Sequence, residues 1–119
     1  MKKLFFLASF AFIGLSANAQ VIVEETNINE LDVHYVELVG RNKIGFGKIK
    51  VIVDYGQPMK VFKSQAIRSA DGTKAAFNSM IDALNFMDAN GWEYVDNYVK
   101  PAISEADANE THYILRKRK

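Results

Sequence analysis

Residues 88–99 read DANGWEYVDNYV, and the way the chain turns inside this stretch decides how the molecule is built. Just upstream, Phe77, Met80, Ile81, Leu84 and Met87 recur at helical spacing, with Asn78, Asp82, Asn85 and Asp88 on the opposite side. The spacing predicts a helix from about Lys74 to Ala89, with Asp71 or Thr73 as its N-cap. Asn90 then falls at the C-cap and Gly91 one position beyond, where the backbone turns left-handed and glycine alone does so freely. Trp92, the only tryptophan of the chain, comes next. It lands where a Schellman stop makes its hydrophobic contact with Met87. The indole is therefore expected to clamp the helix end onto the following strand rather than to serve as a binding platform.

The neighbouring elements follow from alternation. Trp92 to Val99 reads as a strand, with Trp92, Tyr94, Asp96 and Tyr98 opposite Glu93, Val95, Asn97 and Val99. Residues 101–110 form a polar loop, and 111–117 form the last strand. Two strands joined by a short loop pair antiparallel. Before the helix, 34–41 is rich in β-branched and aromatic types, and 42–47 is a turn. In 48–55, Ile49, Val51, Val53 and Tyr55 share one face. Gly56-Gln57-Pro58 ends that strand. Val61-Phe62 and Ala66-Ile67 suggest a further short strand within 60–69. The order β-β-(β)-α-β-β predicts an α+β two-layer sandwich, one helix packed on a mainly antiparallel sheet of four to five strands.

The N-terminus has its own grammar. Met1-Lys2-Lys3 precedes an apolar run from Leu4 to Leu15, and Ala17-Asn18-Ala19 is a small-x-small cleavage site. This is the pattern of a secretory signal peptide cut after Ala19, and the run is shorter than the roughly 20 residues a spanning helix needs. No cysteine stands near the cut to carry a lipid. Residues 20–33, carrying Glu24, Glu25, Asn27, Asn29, Glu30 and Asp32, read as a polar lead-in whose Val21-Ile22-Val23 adds an edge strand. Residues 34–119 then form a single domain. Removing Lys2 and Lys3 from 15 basic residues leaves 13 against 14 acidic, a net charge of −1 that would steer the chain to no polyanion. With zero cysteines there is neither a disulfide nor a thiolate metal site. The basic end Arg116-Lys117-Arg118-Lys119 reads as a solvated tail.

Catalytic patterns are sparse. His34 and His112 are the only histidines, too few for a zinc-ligand cluster or for a serine triad with spare bases. They read as two half-exposed strand residues. Gly45-Phe46-Gly47-Lys48 lacks the spacing and the following helix of a phosphate loop. Ser64, Ser69, Ser79 and Ser104 stand outside any Gly-x-Ser-x-Gly. No catalytic residue, metal site or cofactor is expected. The tyrosines are the better lead. Tyr94, Tyr98 and Tyr113, with Asp82 and Asn85 on the wet side of the helix, are the candidate binding surface, since one helix covers only one face of a sheet.

The stretches Asp82-Ala83-Leu84-Asn85, Gly91-Trp92-Glu93-Tyr94-Val95 and Tyr113-Ile114-Leu115-Arg116-Lys117 resemble a family of small exported bacterial domains of unknown function. That family carries a Gly-Trp-Glu helix-to-strand turn and a closing basic strand. The resemblance covers about the last 45 residues and, more loosely, 48–55. It implies a periplasmic or secreted Gram-negative setting of the Bacteroidota kind and no activity. In such a host the glycosylation pattern Asn109-Glu110-Thr111 is accidental. The expectation is a small, non-enzymatic envelope protein that works by binding or self-association, with another copy or an envelope protein as partner. It would bind no nucleic acid and keep no membrane span after cleavage. The alternatives are a carbohydrate or peptidoglycan binder using surface tyrosines, and a small envelope hydrolase.

Overall fold

Ser79 fixes where the helix begins. In the computed structural model, which describes residues 19–41, 48–58, 65–102 and 109–119, the helix α1 runs Met80–Ala89. The Ser79 hydroxyl accepts from the first-turn Asp82 N–H at 3.1 Å, and the Asp82 carboxylate reaches back to accept from Asn78 N–H, just before the cap, at 3.0 Å, a variant of the capping box. The helix expected from Lys74 therefore starts six residues late. Backbone pairing holds the preceding segment extended: Lys74 bridges to Arg68, and Phe77 bridges to Ile49. Asp71 caps a turn instead of a helix, accepting from Thr73 N–H at 2.9 Å. Phe77 still reaches the core and meets Phe86 edge-on, with ring centroids 5.5 Å apart, while Ile81 of the expected stripe points outward. Met80, Ala83 and Met87 form the buried helix face.

The other end is as the sequence suggests. Asn90 is the C-cap, and Gly91 has φ +93°, the left-handed region that glycine favours. Gly91 N–H donates to Asp88 C=O at 3.4 Å. Trp92 is fully buried and shares one core cluster with Met87. Its indole N–H donates to Asn29 Oδ1 at 3.2 Å, and Asn29 Nδ2 donates to the cap carbonyl of Asn90 at 2.8 Å.

The strands form two sheets, where the sequence suggested one. β1 (Ile22–Val23), β2 (Thr26–Asn27) and β5 (Ile67–Arg68) make a small sheet in the order β2-β1-β5. β3 (Tyr35–Arg41), β4 (Lys50–Asp54), β6 (Trp92–Lys100) and β7 (Glu110–Lys117) make the larger one, in the order β4-β3-β7-β6, and every pairing is antiparallel. The short strand expected within 60–69 appears as β5. Val61 and Phe62, the turn at 42–47, the signal segment before Ala19 and most of the loop after Pro101 lie outside the described residues. The 20–33 segment contributes Val21, Val23 and Ile28 to the same core that holds Val36, Leu38, Val51, Val53 and Leu115 of the larger sheet. A short 3-10 turn over Ile28–Glu30 brings Asn29 under the indole.

Gly40 of β3 lets the helix sit close, for a Cβ there would lie 1.9 Å from Met80 Sδ. This marks the face of the larger sheet that carries Val36, Leu38, Val51, Val53 and Leu115 as the helix side. One irregularity sets which side chains of β6 share a face. The β6–β7 register shifts between Tyr94 and Asp96, a β-bulge that leaves Val95 without a partner. Strict alternation would keep Tyr94, Asp96 and Tyr98 on one face. The bulge instead leaves Trp92 and Tyr94 on the helix side and turns Asp96 and Tyr98 to the opposite face.

Two substitutions test the helix-end junction. Gly91→Ala is expected to cost about 1 kcal/mol or more, since the new Cβ meets both a left-handed backbone and Asn29 Nδ2 at 3.3 Å. Asn29→Ala is expected to cost about 1–3 kcal/mol by leaving the buried indole N–H unpaired. Urea denaturation monitored by the fluorescence of Trp92 measures both.

Candidate functional site

On the face turned away from the helix, one row of side chains crosses all four strands. Tyr98 pairs with His112, His112 with Val39, and Val39 with Ile52. The next rows add Glu37 opposite Asp54 and Arg41 opposite Glu110. His112 is 5% exposed, the one buried polar or charged side chain among the described residues. Its Nδ1 meets Glu37 Oε1, and its Nε2 meets Glu110 Oε1 at 3.1 Å. Ionised carboxylates only accept, so the two are satisfied together when both ring nitrogens carry a hydrogen.

The outer members complete the network. Arg41 donates through Nε at 2.8 Å and Nη2 at 2.6 Å to Glu110 Oε2. That bond first, and His112 after it, hold the Glu110 carboxyl below its ordinary range against the opposing effect of burial. The Tyr98 hydroxyl donates to Glu37 Oε1, and its ring stacks on the His112 imidazole with centroids 4.4 Å apart and planes 12° from parallel. Ionising Tyr98 would set a phenolate against a carboxylate, so its hydroxyl is pushed up to about 12, chiefly by the bond to Glu37. A shallow depression of about 290 Å³ lies beside the network, lined by Tyr35, Glu37, Asp54, Tyr55 and Ile114 among others.

The candidate residues divide between faces. Tyr94 and Tyr113 meet edge-on at 5.9 Å on the helix side, and Tyr98 lies on the opposite side. Asp82 is occupied in capping α1, and Asn85 is exposed on the helix. Met87, Asn90, Gly91 and Trp92 are at the helix-end junction, away from this face. His34 is exposed beside Asp32 at 3.7 Å and does not join His112. Read from the sequence as a half-exposed strand residue, His112 is instead buried and held between two carboxylates. Glu37, Arg41 and Glu110 went unrecognised as its partners. The alternation of 34–41 and of 110–117 could have placed them on one face, but only the register brings them together. Among the described residues no group of three or more His, Asp or Glu has the arrangement of a metal site.

The two edges of the sheet differ. β4 is obstructed along its outer side: the Gln65 side chain accepts from Val53 N–H at 2.8 Å and donates to Val53 C=O at 3.1 Å, and just before the strand Ile49 N–H donates to Phe77 C=O at 3.1 Å. β6 has β7 on one side and, among the described residues, no strand on the other. Of the six large apolar side chains exposed among the described residues, four belong to β6: Tyr94, Val95, Tyr98 and Val99. Compared with family models, with curated proteins and with solved structures, the chain finds no match.

The network carries a titration signature. Of the five tyrosines, one is expected to ionise only near pH 12, and the stability that its neutral form contributes is present below pH 10 and lost as the pH rises through about 12. Glu37→Gln removes the carboxylate and should return this ionisation toward 10, the ordinary value. Phenolate absorbance in the ultraviolet, followed against pH in both proteins, reads the shift.

Proposed function

We propose that this is an exported, non-enzymatic binding module of the bacterial envelope whose working surface is the β6 edge. The observation that carries the reading is the concentration of exposed apolar side chains on β6, a nine-residue strand at the edge of its sheet. An extended segment of a partner can add to such an edge through main-chain hydrogen bonds, with side chains on alternate faces giving selectivity. The His112 network supports the non-enzymatic half. A general base must offer a nitrogen to its substrate, and both nitrogens of this buried ring are engaged by carboxylates. Its role in this reading is to hold β3, β6 and β7 in register beneath the working edge. A carbohydrate platform has less support, because Tyr94 and Tyr98 fall on opposite faces and cannot stack on one sugar surface. The envelope setting rests on the signal pattern ending at Ala19 and on the resemblance of 82–117 to small exported bacterial domains.

A photo-cross-linking residue placed at Val99 on β6 or at Ile81 on α1 compares two sites of nearly equal exposure, 53% and 58%. In cells, adducts are expected from position 99 and not from 81. Adducts at equal levels from both, or from neither, would overturn the edge reading. Export is read separately: the protein recovered from the envelope fraction should begin at Gln20, and a cytoplasmic chain that keeps its first 19 residues would remove the envelope assignment.

A further inference from the structure

We infer that the partner taken by the β6 edge is a second copy of this chain, paired antiparallel about a two-fold axis at Tyr98. The inference rests on the edge-binding reading above and adds to it the identity of the partner and the register.

The strand itself sets the limits. Proline at 101 has no N–H to contribute to a ladder, and the bulge at Val95 ends regular pairing on the other side. That leaves Asp96 to Lys100 as the pairing segment. Within it, Asp96, Tyr98 and Lys100 lie on the face away from the helix, with Asn97 and Val99 on the helix side. A parallel arrangement in register puts Asp96 on Asp96 and Lys100 on Lys100, like charges directly opposed. Centring an antiparallel pair on Asp96 or on Lys100 does the same. Centring on Asn97 extends the ladder across the bulge, where Lys100 of one copy would face Tyr94 of the other, and these two project from opposite faces. Centring on Tyr98 avoids each fault. Asp96 of each copy faces Lys100 of the other, Asn97 faces Val99, and the two Tyr98 side chains face one another across the axis. Two complementary ion pairs flank one aromatic pair, and the segment ends where the strand stops being regular. Tyr98 is 40% exposed and already held by its stack on His112, so it meets its twin with little freedom left to lose. Five residues a side make a small contact, below the size of permanent interfaces, so the pair should be weak and concentration-dependent.

Sedimentation velocity of the chain as exported and purified, over a concentration series, is the first test. The mass is expected to rise toward twice that of the monomer. Asp96→Lys and Lys100→Asp should each weaken association about tenfold, and the double reversal should restore it, because the pairs are re-formed with exchanged signs. All four residues involved in the pair of ion contacts are exposed, so each variant should keep the parent's circular dichroism. The second test uses the absence of cysteine in the chain. Directly opposed strand residues have Cα atoms about 4.5–5.5 Å apart, within disulfide range, whereas copies of position 96, or of position 100, would lie about 14 Å apart. Tyr98→Cys should therefore oxidise to a disulfide dimer at least about tenfold faster than Asp96→Cys or Lys100→Cys. A parent chain that stays monomeric at every concentration, or a dimer indifferent to both charge reversals, would overturn the inference. An adduct at Val99 with the mass of a different protein, from a chain monomeric in isolation, would also overturn it while leaving the edge reading standing. Absence of any adduct at Val99 would remove both.

Discussion

A single side-chain amide joins the three parts of this molecule. Asn29 Oδ1 accepts from the buried indole of Trp92 at 3.2 Å and from Val21 N–H at 2.9 Å, while Asn29 Nδ2 donates to Asn90 C=O at 2.8 Å. The helix end, the start of β6 and the N-terminal segment thus converge on one residue. Lys117 adds to the junction from β7, donating to the carbonyls of Asn29 at 3.1 Å and Leu31 at 2.6 Å with its ammonium 5.5 Å from the indole centroid. Each of these groups would be costly to bury alone. Together they let a large aromatic side chain with a polar edge serve as the centre of the core. Because Gly91 must turn left-handed to deliver Trp92 to this point, the backbone conformation and the polar junction depend on each other.

The parts of the fold that depend on local chemistry were legible. Asn90-Gly91-Trp92 announces a helix stop because only glycine suits the left-handed position, and the structure places all three residues as their types demand. The alternation of 48–55 and the apolar content of 34–41 likewise lead to β4 and β3. The features that depend on pairing were not legible. Lys74 to Phe77 has helical spacing, but its backbone is taken by Arg68 and Ile49, and a tertiary bridge outweighs a weak local preference. The bulge at Val95 leaves no mark in the sequence, since valine is an ordinary strand residue, yet it reverses the faces of Asp96 and Tyr98. The polar look of 20–33 concealed Asn29, whose half-buried amide joins the helix end to the N-terminal segment.

The same division applies to the candidate site. Tyr98 is marked by its residue type, and it stands exposed at the sheet edge. His112 carries no such mark because its partners are remote in sequence: Glu37 lies 75 positions away and belongs to a different strand. Only the β3–β7 register brings the two together. Once they meet, the chemistry is constrained. Glu37 receives both the imidazole and the phenol on one oxygen, and Glu110 receives both the imidazole and Arg41, so each of these polar groups has a partner within hydrogen-bond reach. Such a closed network stiffens the sheet and leaves its reactive atoms occupied.

The unequal edges bear on how far association can go. A strand with a bare edge is a hazard when the opposite edge is also bare, because each added copy offers a new site and the sheet grows without limit. Here the β4 edge is obstructed by the Gln65 amide at Val53 and by the pairing of Ile49 with Phe77, so a copy joined through β6 leaves the larger sheet without a second bare edge among the described residues. Growth through β6 alone must be isologous, the same surface on both copies, and it stops at two. The bulge, Pro101 and the two charged residues on the segment, Asp96 and Lys100, narrow the choice further, because shifted registers oppose like charges, cross the bulge or run into a residue without an N–H. An exposed apolar strand that would otherwise favour open-ended aggregation becomes, with one edge plugged and the other marked by opposite charges, a surface with a single self-complementary fit.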